Sequence, residues 1–351
     1  VPVNLRVWTG VIAALFGAMA GACGTSSQPT RAALSDADAT PAVSSAPPPL
    51  SSGLAAVAAP PVDAGASDAA RDASADMGGD ASKGEAQGLL PRIQTQDGDM
   101  LLVPAGPFTM GADTGGEEDE RPAHTVELSA FYMDATEVTQ KAYFACVQEK
   151  ACAMPAMQHI DKFGGLFRGP ARPVVGVSWF DAAQYCKHLG KRLPREAEFE
   201  KAVRGTDARR YPWGNEAPSK DRSVYQSNHT EDVASRPSGR GPFGHDDLAG
   251  NVWEWMDDDY DPIAYRRPGA SAGTPGNCAE INKTQAELRR DGKQGFTGSN
   301  PIPTECEKAI RGGAYNYGAE GLRSSNRVHH PGTFRLLMTG FRCAKDAKPS
   351  P

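Results

Sequence analysis

"PVVGVSWFDAAQYCKHLGKRLPREAEFEKAVRG", residues 173–205, spells two short helices in succession. Ser178 stands three residues before Asp181, the spacing of a capping box, and Gly190 supplies the stop. The second helix, within "LPREAEFEKAVRG", carries acids early and ends on Arg204-Gly205, the charge order a helix dipole favours. Working outward, "HTVELSAFYMDATEVTQ" from His124 begins as a strand through Val126, Leu128 and Phe131-Tyr132. Thr139 then caps a helix with Ala142, Tyr143 and Val147 on one face. "MLLVPAGPFTMGAD", Met100 to Asp113, is a strand followed by a turn. Beyond Gly205 the chain is short segments broken by Gly and Pro. The expectation is an α+β domain with little regular secondary structure.

The 351 residues carry a formal net charge of -6 with 23% charged side chains. No Lys/Arg cluster gives the electrostatic footprint of a nucleic-acid binder, so no nucleic acid is expected as a partner. No aromatic occurs between Phe16 and Phe108, and that gap divides the chain. "VIAALFGAMAGA", Val11 to Ala22, is an apolar stretch of signal-peptide length, too short for a membrane span. It ends at Cys23 in a run that resembles a bacterial lipobox, with Ala20 where Leu is usual. Cleavage after Ala22 and lipidation of Cys23 are expected, which would anchor an exported protein in the bacterial cell envelope, on the periplasmic or cell-surface side. From Gly24 the composition is Ala, Ser, Pro, Gly and Asp, as in "SSAPPPLSSG", too polar to offset the entropy of ordering. The division expected is a signal peptide over 1–22, a disordered tether over 23–97, a folded domain over 98–346 and a tail over 347–351.

Beyond Cys23 there are six cysteines, Cys146, Cys152, Cys186, Cys278, Cys306 and Cys343. An even number in an exported chain is the mark of a disulfide framework, and six permit 15 connectivities. The reading adopted is a local staple Cys146–Cys152, a clip Cys278–Cys306 on a long loop, and a long-range tie Cys186–Cys343. Zinc is disfavoured, because no CxxC occurs and no His stands at ligand spacing.

"VPAGPFTMG", "FYMDATEVTQ", the opening stretch, "YPWGN", "LAGNVWEW", "RGGAY" and "GFRCA" occur in the order of the sulfatase-modifying factor family, which contains the formylglycine-generating enzymes. The resemblance covers about Met100 to Lys345. It implies one domain with a variant of the C-type-lectin-like fold, and it maps that family's long-range disulfide onto Cys186 and Cys343. A second family bridge would fall near Val203 and Ser324, where both cysteines are absent.

The same resemblance implies a structural calcium at "DDLAGNVWEW", held by the residues matching Asp247, Gly250, Val252 and Glu254. The residue types suit it: calcium takes six to eight oxygens, and a glycine-relieved turn can turn carbonyls inward. The family's other calcium site would begin at Asn228-His229, but the acidic turn after it is rebuilt, with Asp232 as the nearest substitute, so its absence is expected. The acidic runs "DTGGEEDERP" (113–122) and "DDDYDP" (257–262) lack calcium-loop spacing and are expected to be solvated surface loops. His329-His330 has no third ligand at helical spacing and is given a structural or surface role.

In formylglycine-generating enzymes two cysteines after the "RGG" turn bind copper(I) and activate oxygen. Copper(I) selects thiolates, and here no Cys lies between Arg311 and Cys343. Ala314 also replaces a serine of that site, while Trp253 is kept. Copper is therefore not expected, and no catalytic residue is assigned. The expected pocket comprises Trp253, Ala314, Tyr315, Asn316, Tyr317, Arg323 and Arg327, a composition suited to a peptide, protein or glycan ligand. Two function classes follow. One is a lipid-anchored binding or structural module; the other is an oxidoreductase of the same family with a non-thiolate site. The related sulfoxide synthases use iron on a histidine triad from an extra N-terminal domain, which has no counterpart here. Hydrolase motifs (GxSxG, a P-loop, HExxH) are missing.

Overall fold

The computed structural model describes residues 91–156, 165–270, 273, 276–293 and 302–347. The signal-peptide, lipidation and most of the tether readings (residues 1–90) lie outside them. In chain order the strands are β1 (Arg92–Thr95), β2 (Gly98–Val103), β3 (Gly106–Met110), β4 (His124–Leu128) and β5 (Phe131–Asp134). They continue with β6 (Trp253–Asp259), β7 (Lys308–Arg311), β8 (Val328–His330), β9 (Thr339–Gly340) and β10 (Ala344–Asp346). The helices are α1 (Gln140–Gln148), α2 (Trp179–His188), α3 (Glu196–Arg204) and α4 (Cys278–Arg290). None of these helices is long and apolar enough to cross a membrane.

One sheet has the order β1-β2-β5-β10, all antiparallel, so the first and last strands of the folded domain flank the central β2–β5 pair on opposite edges of one sheet. β1 pairs with β2 through Thr95↔Gly98, so folded structure reaches back at least to Arg92 rather than beginning at residue 98. β3 and β4 form a separate hairpin. The third sheet runs β8-β7-β6-β9, with β6 parallel to β9 and antiparallel to β7. This is a mixed α/β architecture of short elements, as the sequence grammar implies.

The caps explain why the helices start where they do. Thr139 accepts from Ala142 N at 3.2 Å, and Ser178 with Asp181 closes a reciprocal box at 3.2 and 2.8 Å. Gly190 and Gly205, at φ +66° and +65°, end α2 and α3 in a conformation that costs other residues strain. α3 is unusual in that all nine of its residues are buried despite the sequence EAEFEKAVR. Burial of such charges requires partners, and they are present: Glu198 with Arg192, Glu200 with Arg204, and Lys201 Nζ on the carbonyls of Pro104 and Gly106 at 2.7 Å each.

Three disulfides link Cys146 to Cys152, Cys186 to Cys343 and Cys278 to Cys306. The second ties α2 to the residue before β10. Between Cys278 and Cys306 the sequence suggested an irregular loop; instead α4 starts at Cys278, capped by Asn277 on Glu280 N at 3.1 Å. The helix was hidden because its polar sequence shows no broad apolar stripe; Ile281 and Gln285 are its buried residues.

Both acidic runs depart from expectation. In 113–122 the outer residues are exposed, but Asp119 and Glu120 are buried. In 257–262, Asp258, Tyr260 and Asp261 are buried, because the run is the end of β6 and the turn after it. The buried acids are paired: Glu120 accepts from Arg323 and Asp119 from Tyr260 Oη at 2.6 Å, both far away in sequence, while Asp261 accepts from nearby Arg267 and Asp258 from Glu196 N at 2.6 Å. A run of like charges is solvated only when no such partner exists.

Candidate functional site

Residues 246–254 form a tight turn feeding β6. Three residues take left-handed φ: Asp247 (+54°), Gly250 (+94°) and Asn251 (+62°). Gly250 admits no side chain, since a Cβ would sit 2.3 Å from Ser223 Oγ and 2.6 Å from Val224 O. The turn is pinned by Gly250 N to Gly312 O (2.8 Å), Asn251 N to Val224 O (2.8 Å) and Trp253 N to Met338 O (2.8 Å). Of its carbonyls, that of Ala249 accepts from Ser223 Oγ and that of Asn251 from Tyr315 N. The two carbonyls expected as cation ligands are those of Gly250, between them, and Val252, the next residue along.

Glu254 is buried and held in a two-pronged pair with Arg342, both contacts at 2.8 Å. Arg342, itself buried, also donates to the carbonyls of Asp134, Ala135, Asp246 and Asp247 at 3.1–3.4 Å. Asp247 Oδ2 accepts from Ala234 N at 2.5 Å. A further carboxylate, Glu137, is buried here, and neither of its oxygens has a hydrogen-bond partner. Burial pushes Glu254 up, Asp247 up to about 6, and Glu137 well above the usual carboxylate range, the neighbouring Asp247 adding to the last. Three buried acids share one guanidinium, and burial pushes them toward their neutral forms; Glu137 and Asp247 lie carboxyl to carboxyl. Among the described residues no three His, Cys, Asp or Glu side chains are arranged as a metal cluster, so a cation here depends on backbone carbonyls as well. Calcium accepts that donor mixture.

At the rebuilt second calcium position, Asp232 is exposed beside Arg172 at 3.8 Å, and His229 Nδ1 contacts its neighbour's carbonyl, Thr230 O, at 2.8 Å. His329 stacks on Tyr260 with centroids 4.1 Å apart, a packing role.

The expected pocket does not assemble as one surface. Trp253, Ala314 and Tyr317 do meet in one apolar cluster, Trp253 edge-on to Tyr317 at 5.2 Å. The buried Trp253 Nε1 has no acceptor there. Tyr315 packs elsewhere, edge-on to Phe167 at 5.3 Å, and Asn316 is exposed. Arg323 and Arg327 are buried in ion pairs instead of lining that cluster. Arg327 forks onto Glu196 at 2.7 and 2.9 Å and lies over Tyr260 and Tyr265. Arg311 bridges Glu196 at 3.0 Å and Glu200. Burial pushes Glu196 up, but Arg327 and Arg311 outweigh it and hold its carboxyl below the usual value. The loop's sharp turn needs Gly313 (φ +81°), whose Cβ would stand 2.7 Å from Gly321 O. Where the family's second bridge would join 203 to 324, Ser324 Oγ donates to Arg209 O at 2.8 Å just after α3.

All six cysteines of the described residues are in disulfides. The sulfatase-modifying factor enzyme 1-like domain matches residues 86–347. The chain belongs to the sulfatase-modifying factor family. It is 30% identical to the formylglycine-generating enzyme of Streptomyces coelicolor, over 71% of this chain and 89% of that protein. It is also 31% identical to the serine/threonine-protein kinase Pkn1 of Chlamydia pneumoniae, but spans only 40% of that protein's length. A mouse relative, 31% identical over 49% of this chain, is named an inactive C-alpha-formylglycine-generating enzyme 2. The solved structure of PvdO from Pseudomonas aeruginosa matches with a TM-score of 0.55 at 24% identity, covering 75% of this chain and all of that one, which places the fold.

Two residues that pack against the turn escaped the sequence reading, Glu137 and Arg342. Both lay inside motifs quoted for the family resemblance, "FYMDATEVTQ" and "GFRCA", where the neighbouring cap and cysteine drew the interpretation.

Proposed function

We propose that this protein is an exported, Cys23-lipidated module of the cell envelope whose sulfatase-modifying-factor domain binds a peptide, protein or glycan instead of oxidising one. The observation that carries the reading is the state of its sulfur: no Cys lies between Arg311 and Cys343, and every described cysteine is spent in a disulfide. Copper(I) chemistry needs thiolates, and the disulfide sulfurs cannot serve. Calcium is the proposed structural cofactor, held by Asp247, Gly250, Val252 and Glu254 at the turn that starts β6. It would neutralise buried carboxylates and fix the turn without taking part in redox chemistry. The mouse relative named inactive supports the view that the domain persists without the oxidase function.

The test is direct. The purified chain is supplied with copper(I), oxygen and a cysteine-containing sulfatase-motif peptide, and aldehyde is sought by mass spectrometry. No aldehyde above a protein-free control is expected. Enzyme-dependent aldehyde would favour the alternative, an oxidoreductase with a non-thiolate site, and would overturn the binding-module reading.

A further inference from the structure

We propose that the cavity beyond the C-terminal end of α3 binds a tetrahedral oxyanion, sulfate or phosphate, free or carried on a larger molecule. The cavity holds about 130 Å³. Its walls come from three parts of the chain: Thr114 and Gly115 in the loop after β3, Arg204 and Arg210 at the end of α3 and past it, and Arg323 and Ser325 before β8. Three guanidiniums line it, and no carboxylate does.

The three arginines differ in how fully their charge is answered. Arg323 sets both terminal nitrogens on Glu120. Arg204 is 8% exposed and shares Glu200 with Arg311, and its buried Nε–H has no acceptor. Arg210 is exposed and makes no ion pair among the described residues; its guanidinium stands 5.7 Å from the centre of the Tyr211 ring. The acid nearest in sequence, Asp207, is taken by the fork of Arg209 at 2.7 and 2.8 Å. The backbone of Arg210 is nevertheless fixed, since its N–H donates to Asn215 Oδ1 at 2.9 Å and its carbonyl accepts from Ser324 N at 2.8 Å. A Cβ added at Gly115 would stand 3.6 Å from Arg210 Nη1, and one at Gly116 would stand 3.1 Å from Arg323 Nη1. The two guanidiniums therefore lie against consecutive residues, whose Cα atoms are ~3.8 Å apart.

Like charges at such range repel, and more strongly where two of the three are buried. An anion relieves the repulsion and gives the Arg204 Nε–H the acceptor it lacks. The planar fork of arginine matches two oxygens of a sulfate or phosphate, and the exposed Thr114 hydroxyl adds a neutral donor. The donors come from separate walls of the cavity, so oxygens that lie outside one plane meet more of them than the two of a carboxylate can. A cation would face three positive groups.

The experiment titrates the full chain with sodium sulfate and with sodium phosphate by calorimetry, at an ionic strength held constant with sodium chloride, and repeats the titration with acetate. Expected is saturable binding of one sulfate or phosphate, a melting temperature that rises with it, and weaker binding of acetate. Arg210→Ala should bind at least tenfold more weakly. Arg210→Lys, which keeps the charge but loses the fork, should fall between the two. Arg290→Ala, an exposed arginine of α4, should match wild type. Residue 210 is on the surface, so its variants should melt like wild type in chloride alone. A sulfated polysaccharide and its desulfated form separate the two sources of the group: binding that needs both sulfate and Arg210 assigns an ester-borne group, and no such binding assigns the free ion. Absence of saturable sulfate or phosphate binding, or wild-type affinity in Arg210→Ala, overturns the proposal. Acetate bound as tightly as sulfate overturns its tetrahedral preference. None of these outcomes bears on the aldehyde assay above.

Discussion

Arg323→Met should unfold the domain's grip on its own acidic loop. Arg323 forks onto Glu120 with one contact at 2.7 Å and a second closer still, and both side chains are buried. Burial pushes the Glu120 carboxyl up, but Arg323 outweighs it and leaves it below its ordinary value. Removing one partner of such a pair leaves a buried charge, at a cost of about 3–5 kcal/mol. Ser325 Oγ and Glu117 N still donate to Glu120, at 2.7 and 3.1 Å, which places the expectation near the lower end, about 3 kcal/mol. The double variant Glu120→Leu/Arg323→Met buries no stranded charge and should recover most of that loss. The sign with pH follows. A carboxyl held below its ordinary value of 4.5 contributes stability that is full above that value and is lost as pH falls beneath it, so the single variant's deficit should shrink between pH 6 and pH 3. Urea melts of wild type, both singles and the double at the two pH values form the assay. Single and double variants each within about 1 kcal/mol of wild type, the range of an exposed pair, would falsify the buried-pair account and return the 113–122 run to solvent.

Two further outcomes are expected. Burial first, and then Glu196, push Asp258 up to about 7, so the unfolded chain ionises before the folded one and wild type loses stability as pH rises from about 4 to about 7. Asp258→Asn keeps an acceptor for Glu196 N and should gain on the order of 2 kcal/mol at pH 8, a gain that disappears near pH 4 in pH-dependent urea melts. The disulfides should rank by the loop they close. Cys186–Cys343 spans 157 residues and Cys146–Cys152 spans 6, so paired Ala substitutions should cost about 5 and about 2 kcal/mol respectively on the chain-entropy account; equal losses would count against it.

What the sequence made legible was what lies close together along the chain. Thr139 with Ala142, Ser178 with Asp181 and Gly205 after Arg204 are decided within a few residues, and the structure has those caps and stops. What it hid depends on partners far away. Glu120 meets Arg323 across 203 positions and Asp119 O meets Arg327 across 208, so an acidic run that is paired in three dimensions looked solvated in one. α3 depends on distant partners in the same way, since every residue of EAEFEKAVR is buried although most carry charge. The pocket expectation failed for a geometric reason. Neighbours in one loop were assumed to share a surface, whereas the turn sends Tyr315 towards Phe167, Tyr317 towards Trp253, and the arginines into ion pairs.

That separation changes what the loop's retained residues mean. Arg311, Arg323 and Arg327 spend their donors on Glu196, Glu200 and Glu120. Removing any of those charges leaves a buried acid short of a partner, a loss large beside the few kcal/mol by which domains are stable. Trp253, Ala314 and Tyr317 sit in a different cluster, built around α2, the inner face of α1 and the Cys186–Cys343 bridge. The arginines are therefore held in place by folding whether or not any chemistry occurs nearby, and their presence is no argument for an oxidase. The positions near Trp253 carry no such charge, so Ala314 and Tyr317 can change without stranding a buried acid. Scaffold and pocket are separable in this fold: the arginines are fixed by the ion pairs they complete, and the residues around Trp253 are not.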